Sequence, residues 1–167
     1  MQFSEEGLRS RNGSVPLGDQ QKFFRFSMND YRIILAEDHV IFRRLLRQEL
    51  ESADGLTVVG EANDGQELLA LLEQVTPDLI ILDISMPNLN GLEAAKRIKV
   101  SHPHLKILFL SMHKNPAYAQ QAQKLGVAGY LLKEEMEQAL LLAIFQIRSG
   151  RPYFSPVLAQ YLDHGGR

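Results

Sequence analysis

From Tyr31 onward the chain alternates short apolar runs rich in Ile, Leu and Val with longer segments of helical period. Five runs predict strands: Arg32–Ala36, Thr57–Ala62, Asp78–Leu82, Leu105–Leu110 and Ala128–Leu132. Between the strands, Phe42, Leu45, Leu46 and Leu50 form one apolar helical stripe with Arg43 and Arg47 off it, and Met136, Leu140, Ala143, Ile144 and Ile147 form another. Asn115 followed by Pro116 reads as an N-cap and first helical position, and Gly126 as the residue that ends that helix. Helices near 65–75 and 91–101 complete five strand–helix pairs, so the class is α/β with a parallel sheet covered on both faces.

Both ends fall outside this alternation. Residues 1–30 show no sustained period and include Gly7, Gly13, Pro16 and Gly18, which predicts a mobile leader. Its short cluster Phe23-Phe24-Arg25-Phe26 could dock on the body, but the mobile leader is the expectation. At the other end Ser149-Gly150-Arg151-Pro152 interrupts the pattern. Residues 151–167, with the short amphipathic stretch Val157, Leu158, Tyr161 and Leu162, read as the start of a linker.

Composition narrows the function classes. Lys and Arg number 18 against 20 Asp and Glu, a net charge of -2, so the chain lacks the basic excess that draws proteins onto nucleic-acid phosphates. With no Cys there are no disulfides, thiolate metal sites or Cys nucleophiles, as suits a reducing cytoplasm. No apolar run approaches the roughly 20 residues that a membrane-spanning helix needs, and no partner membrane is expected. Neither a G-x-x-x-x-G-K-[ST] nor a G-x-G-x-x-G stretch is present for nucleotide phosphates.

In open α/β sheets, chemistry collects beyond the carboxyl ends of the strands. Here the first strand runs into Glu37-Asp38, the third into Asp83, the fourth into Ser111 and the fifth into Lys133. Three carboxylates in one crevice repel one another unless a cation compensates, and a hard divalent ion such as Mg²⁺ suits oxygen ligands with a phosphate completing its shell. Lys133 and Ser111 supply a flexible positive charge and a hydroxyl, both fitted to phosphate oxygens. Asp83 follows the most continuously apolar strand, Leu79-Ile80-Ile81-Leu82, and is the candidate to attack phosphorus and form an acyl phosphate. The loop after it, Ile84 to Gly91, brings a backbone carbonyl toward the metal position.

These residues resemble the receiver domain of bacterial two-component response regulators. The likeness rests on Glu37-Asp38, Leu82-Asp83-Ile84-Ser85-Met86-Pro87 with Gly91, Leu110-Ser111, and Gly129-Tyr130-Leu131-Leu132-Lys133. Steps of 45, 28 and 22 positions from Asp38 to Asp83, Ser111 and Lys133 suit it as well. It spans residues 31–150, with Asn90 and Glu134 as small departures. The resemblance implies a flavodoxin-like, doubly wound five-stranded sheet of order 2-1-3-4-5 with five helices. It also implies a phosphoryl group passed to Asp83 from a sensor histidine kinase or a small donor such as acetyl phosphate. Mg²⁺ would then be held by Asp38, Asp83 and the Ser85 carbonyl, with Glu37 acting through water. Lys133 and Ser111 would contact the phosphoryl oxygens, and Tyr130 would turn inward as a switch that alters protein contacts.

Leu125-Gly126-Val127-Ala128-Gly129-Tyr130 and Ser149-Gly150-Arg151-Pro152-Tyr153-Phe154-Ser155-Pro156 are similar to receivers of the NarL/FixJ group, which precede a LuxR-type helix-turn-helix domain. That implies transcriptional output with DNA reached only through an output domain beyond this chain, and an apolar fifth helix that permits a homodimer. Taken singly the residues have plainer readings: Glu37 and Asp38 as helix-capping acids, Asp83 as a turn residue, Lys133 as a solvated charge, Tyr130 as a static core aromatic. His39 directly follows the acidic pair, where it could tune the pocket, but reads rather as exposed at a helix start; His102 and His104 read as surface residues, and His113 reads equally as surface or as a modulator of phosphoryl lifetime. The competing function is an Asp-nucleophile phosphohydrolase resembling the haloacid dehalogenase group, in which a second acid lies two positions after the nucleophile; Ser85 stands there.

Overall fold

A computed structural model describes residues 30–163. The leader cluster Phe23–Phe26 and the last four residues lie outside the described residues. The elements are β1 (Tyr31–Ala36), α1 (Val40–Glu51), β2 (Leu56–Ala62), α2 (Gly65–Leu72), β3 (Leu79–Asp83), α3 (Gly91–Ser101), β4 (Lys106–Ser111), α4 (Pro116–Leu125), β5 (Gly129–Leu132), α5 (Met136–Arg148), β6 (Tyr153–Phe154) and α6 (Pro156–Ala159). A 3₁₀ turn, Lys133–Glu135, joins β5 to α5.

All strands pair in parallel in the order β2-β1-β3-β4-β5-β6. Alternate strand residues enter two separate cores. Ile34, Ile80, Leu82, Phe109 and Tyr130 face α2, α3 and α4, whereas Ile33, Leu35, Ile81, Leu108 and Leu131 face α1 and α5. Burial on both faces explains why the strands read as continuous apolar runs, and β3 is buried at all five positions. Asn115 accepts a hydrogen bond from the Ala117 amide and Gly126 ends α4, as the sequence predicts. Asp78 lies one residue before β3, where its carboxylate accepts the Arg32 amide at 2.8 Å.

Two expectations change. Leu45 is 48% exposed, so the α1 stripe is carried by Leu46 and Leu50 with Phe42 half-buried. Arg43 turns inward instead, donating to the Glu37 carbonyl and, at 2.9 Å, to Asn63. The five-stranded, five-helix expectation is extended by β6 and the short α6. The Tyr153 amide donates to the Ala128 carbonyl at 3.0 Å and the Ser155 amide to the Tyr130 carbonyl at 2.8 Å. A Cβ on residue 129 would lie 2.3 Å from the Tyr153 carbonyl oxygen, so this pairing requires Gly129. Leu158 then buries against the α2–α4 core.

Candidate functional site

The carboxyl ends of β1, β3, β4 and β5 meet at one rim of the sheet, carrying Glu37-Asp38, Asp83, Ser111 and Lys133. Register places Asp83 beside Leu110, one residue before Ser111, and Ser111 beside Leu132, one residue before Lys133. Adjacent strands thus deliver an acid, a hydroxyl and an ammonium in sequence.

Lys133 is only 12% exposed along its side chain, which removes the solvated-charge reading. Its Nζ lies 2.8 Å from Glu37 Oε2 and 3.5 Å from Asp83 Oδ2, and 4.6 Å from the centre of the Phe42 ring. A cation between two acids and over an aromatic face is held from three sides. Glu37 and Asp83 are both buried. Asp83 Oδ1 accepts the Ser85 amide at 3.3 Å. Burial is the main cause that pushes the Asp83 carboxyl up to about 6, with the Glu37 charge adding and the Lys133 ammonium opposing.

Asp38 completes the acidic group differently. Its Oδ1 is buried and meets no hydrogen-bond donor, an arrangement that suits a cation. Glu37, Asp38 and His39 bring their ligand atoms within 4.8 Å of one another. The His39 ring is exposed, with Nδ1 3.5 Å from Glu37 Oε1 and 3.8 Å from Asp38 Oδ1. The ring is exposed, as the sequence predicts, and it nonetheless stands against both acids of the pair that it follows.

The loop after Asp83 approaches the strand end closely. A Cβ on Gly91 would lie 2.0 Å from the Asp83 carbonyl oxygen, and the Gly91 amide donates to the Ile84 carbonyl at 2.8 Å. Asn90 caps α3 through the Glu93 amide at 2.9 Å. These contacts set the course of the loop that bears Ser85.

Ser111 is buried, and its Oγ accepts the His113 amide at 3.0 Å. Tyr130 is fully buried, and its hydroxyl donates to the His113 carbonyl at 2.7 Å. Burial pushes the Tyr130 hydroxyl up to about 12, so it remains a donor. The His113 ring stacks on Tyr118 with centres 4.4 Å apart, and its Nε2 lies 2.7 Å from Ser85 Oγ. His113 therefore bridges the two loops that flank Asp83. A pocket of about 520 Å³ opens beside these groups, bordered by Phe42, Ser111, Met112 and Lys133. His102 and His104 are exposed beside a separate cavity of about 450 Å³ that also borders Tyr31 and Lys106, where β1 and β4 begin.

Sequence reading missed the role of Phe42 beneath the ammonium and the Ser85–His113 contact. The first had a signal, since Phe42 stands in the first turn of the helix that leaves the acidic pair.

The response regulator receiver domain model matches residues 33–145, more than half of the chain. The chain belongs to this family. Over 134 residues the receiver is 34% identical to the transcriptional regulatory protein DegU of Brevibacillus brevis, covering 80% of this chain and 57% of that protein. The probable transcriptional regulatory protein NarL of Mycobacterium tuberculosis H37Rv is 32% identical over 127 residues, covering 76% and 59%. Among solved structures, a LuxR-family two-component response regulator from Aurantimonas sp. SI85-9A1 superposes with a TM-score of 0.76 at 35% identity, over 80% of this chain and 95% of that one. The isolated RcsB receiver of Salmonella enterica serovar Typhimurium, solved with the phosphomimetic BeF₃⁻, gives 0.75 at 30% identity over 81% and 100%. The chain spans 57–61% of the length of the first curated relatives that it matches. Among the described residues, no helix is long and apolar enough to cross a membrane.

Proposed function

We propose that this receiver accepts a phosphoryl group on Asp83 from a phosphohistidine of a sensor kinase and thereby switches its protein contacts. The single observation that carries the reading is the Lys133 ammonium held between the buried carboxylates of Glu37 and Asp83, 2.8 and 3.5 Å away. An Asp83 oxygen attacks phosphorus, the P–N bond to the kinase imidazole breaks, and an acyl phosphate forms. Lys133 neutralises the phosphoryl oxygens, and Ser111 offers them its hydroxyl. Asp38, whose buried Oδ1 accepts no hydrogen bond, Asp83 and the Ser85 carbonyl would hold Mg²⁺, Glu37 reaching it through water. When bound, that ion neutralises the acidic crevice and the charge developing on the transferred group.

The kinase contact is assigned to the apolar rim of the site, where Val40, Ile41 and Met112 are 56%, 76% and 77% exposed. On α5, Leu142 and Phe145 are exposed and offer a face to a second copy of the chain. Residues 151–167 lead toward an output domain of LuxR type, through which the protein would reach DNA and control transcription in the cytoplasm. The relatives' description as transcriptional regulators supports that output. The phosphohydrolase reading is not favoured: the family is one of regulators, and Ser85 occupies the place of the second acid.

Acetyl phosphate with Mg²⁺ should add one mass increment to the intact protein, and Asp83→Asn should abolish it. Persistence of the increment in that variant would move the acceptor elsewhere, and sustained turnover of a simple phosphate ester would restore the hydrolase reading.

A further inference from the structure

The C-terminal segment takes no part in the phosphoryl chemistry, yet it is fastened to the residues on either side of Lys133. Ser155 is fully buried. Its Oγ accepts the Leu132 amide at 2.9 Å, immediately before Lys133, and donates to Glu135 Oε2, two residues after it. One hydroxyl has one proton to give, so its capacity is committed on both sides of the lysine. The Ser155 amide meanwhile donates to the Tyr130 carbonyl at 2.8 Å. A single residue thereby holds the strand at Tyr130, its end at Leu132 and the following turn at Glu135.

Beyond Ser155 the segment is zipped to α4. Gln120 Nε2 donates to the Tyr161 carbonyl at 3.0 Å. Gln123 exchanges two bonds with Asp163, its Nε2 donating to the carbonyl at 2.8 Å and its Oε1 accepting the amide at 3.1 Å. Leu158 fills the core cluster that contains Tyr130.

We propose that Ser155 is a positioning residue for Lys133, and that the Leu132–Ser155–Glu135 clasp couples loading of the phosphoryl site to release of residues 153–163. The proposal rests on Lys133 serving the phosphoryl group. In the resting protein the ammonium sits closer to Glu37, at 2.8 Å, than to Asp83, at 3.5 Å. A phosphoryl dianion on Asp83 draws it toward that side, and Leu132 and Glu135 move with the backbone that carries it. The Leu132 bond is buried and the Glu135 bond partly so, and both share the one Ser155 hydroxyl in its resting position, so displacement weakens them together. Linkage makes the effect reciprocal: a loosened segment frees Lys133 for the phosphoryl group.

Hydrogen exchange on the full chain tests this, with beryllofluoride and Mg²⁺ as the probe against Mg²⁺ alone. The wild-type amides of 153–159 should exchange about tenfold faster with beryllofluoride, a ratio within the usual range of coupling between sites. In Ser155→Ala exchange should already be fast, and the beryllofluoride ratio should fall below about twofold. Glu135→Ala removes the acceptor of the Ser155 hydroxyl, retains the Leu132 bond and should give a ratio of about threefold, which serves if the Ser155 variant does not fold. A clasp that is merely structural would raise exchange equally in both states and leave the tenfold ratio intact, which overturns the proposal. Acetyl phosphate labelling of the same wild-type sample separates the two levels. A mass increment with unchanged exchange at 153–159 removes the coupling alone, and no increment removes the phosphoryl reading and the coupling with it.

Discussion

Replacing Asp83 with Asn should make the magnesium-free protein more stable at neutral pH, even though the same change abolishes phosphoryl acceptance. The Asp83 carboxyl is displaced from 3.8 to about 6, chiefly by burial and next by the negative charge of Glu37. A native acid raised in this way favours the protonated form. Its contribution is therefore most favourable below the unfolded value of 3.8, declines as pH rises between that value and about 6, and is lost above it. At about 1.36 kcal/mol for each pH unit of displacement, ionised Asp83 costs about 3 kcal/mol at pH 7.5. Asn removes that charge while leaving Lys133 paired with Glu37 at 2.8 Å. Urea unfolding of both proteins from pH 4 to 8, with chelator present, should show an advantage for Asp83→Asn near zero at the acid end and about 2–3 kcal/mol above pH 7. Millimolar Mg²⁺ should shrink the gap, because an ion bound to the native wild type stabilises it by mass action. A difference that stays flat across this range, or wild type the more stable at pH 7.5 without metal, would refute the assignment of a charge-repelled, buried carboxyl.

Two further outcomes follow from neighbouring contacts. Gly91→Ala places a Cβ 2.0 Å from the Asp83 carbonyl oxygen, a backbone atom with little freedom to yield, and should destabilise by about 3 kcal/mol in denaturant unfolding. Lys133→Met keeps the apolar stem over Phe42 but strips the buried Glu37 of its cation; a loss of about 3 kcal/mol is expected, with the Asp83 carboxyl moving further up in an NMR titration.

The reactive rim was legible because each of its groups directly follows or ends an apolar run, and a parallel sheet gathers such ends whatever the details of packing. Glu37, Asp83, Ser111 and Lys133 came together for that reason. Leu45 was misplaced because a stripe drawn on a helical wheel does not say how wide a contact the sheet offers; α1 buries only Leu46 and Leu50 fully, and Arg43 takes the flank near Asn63. The role of Ser155 lay out of reach, since its partners Leu132 and Glu135 are 23 and 20 residues away and no local period links them. β6 was similarly obscured, because a two-residue strand has no periodicity to detect. Its clearest trace in the sequence is Gly129, whose missing side chain leaves space for the neighbouring carbonyl. The displaced Asp83 carboxyl has no local signal in the sequence, since it arises from burial and from the charges of Glu37 and Lys133 that the fold brings beside it.

The sheet is chemically one-sided, and that asymmetry has a practical use. The turn His102-Pro103-His104 is exposed beside the cavity where β1 and β4 begin, whereas the acids and Lys133 occupy the rim where the strands finish. A fluorophore or a surface tether attached through that turn would leave the acidic crevice unobstructed. Immobilised through His104, the molecule would present its reactive rim outward in a uniform orientation.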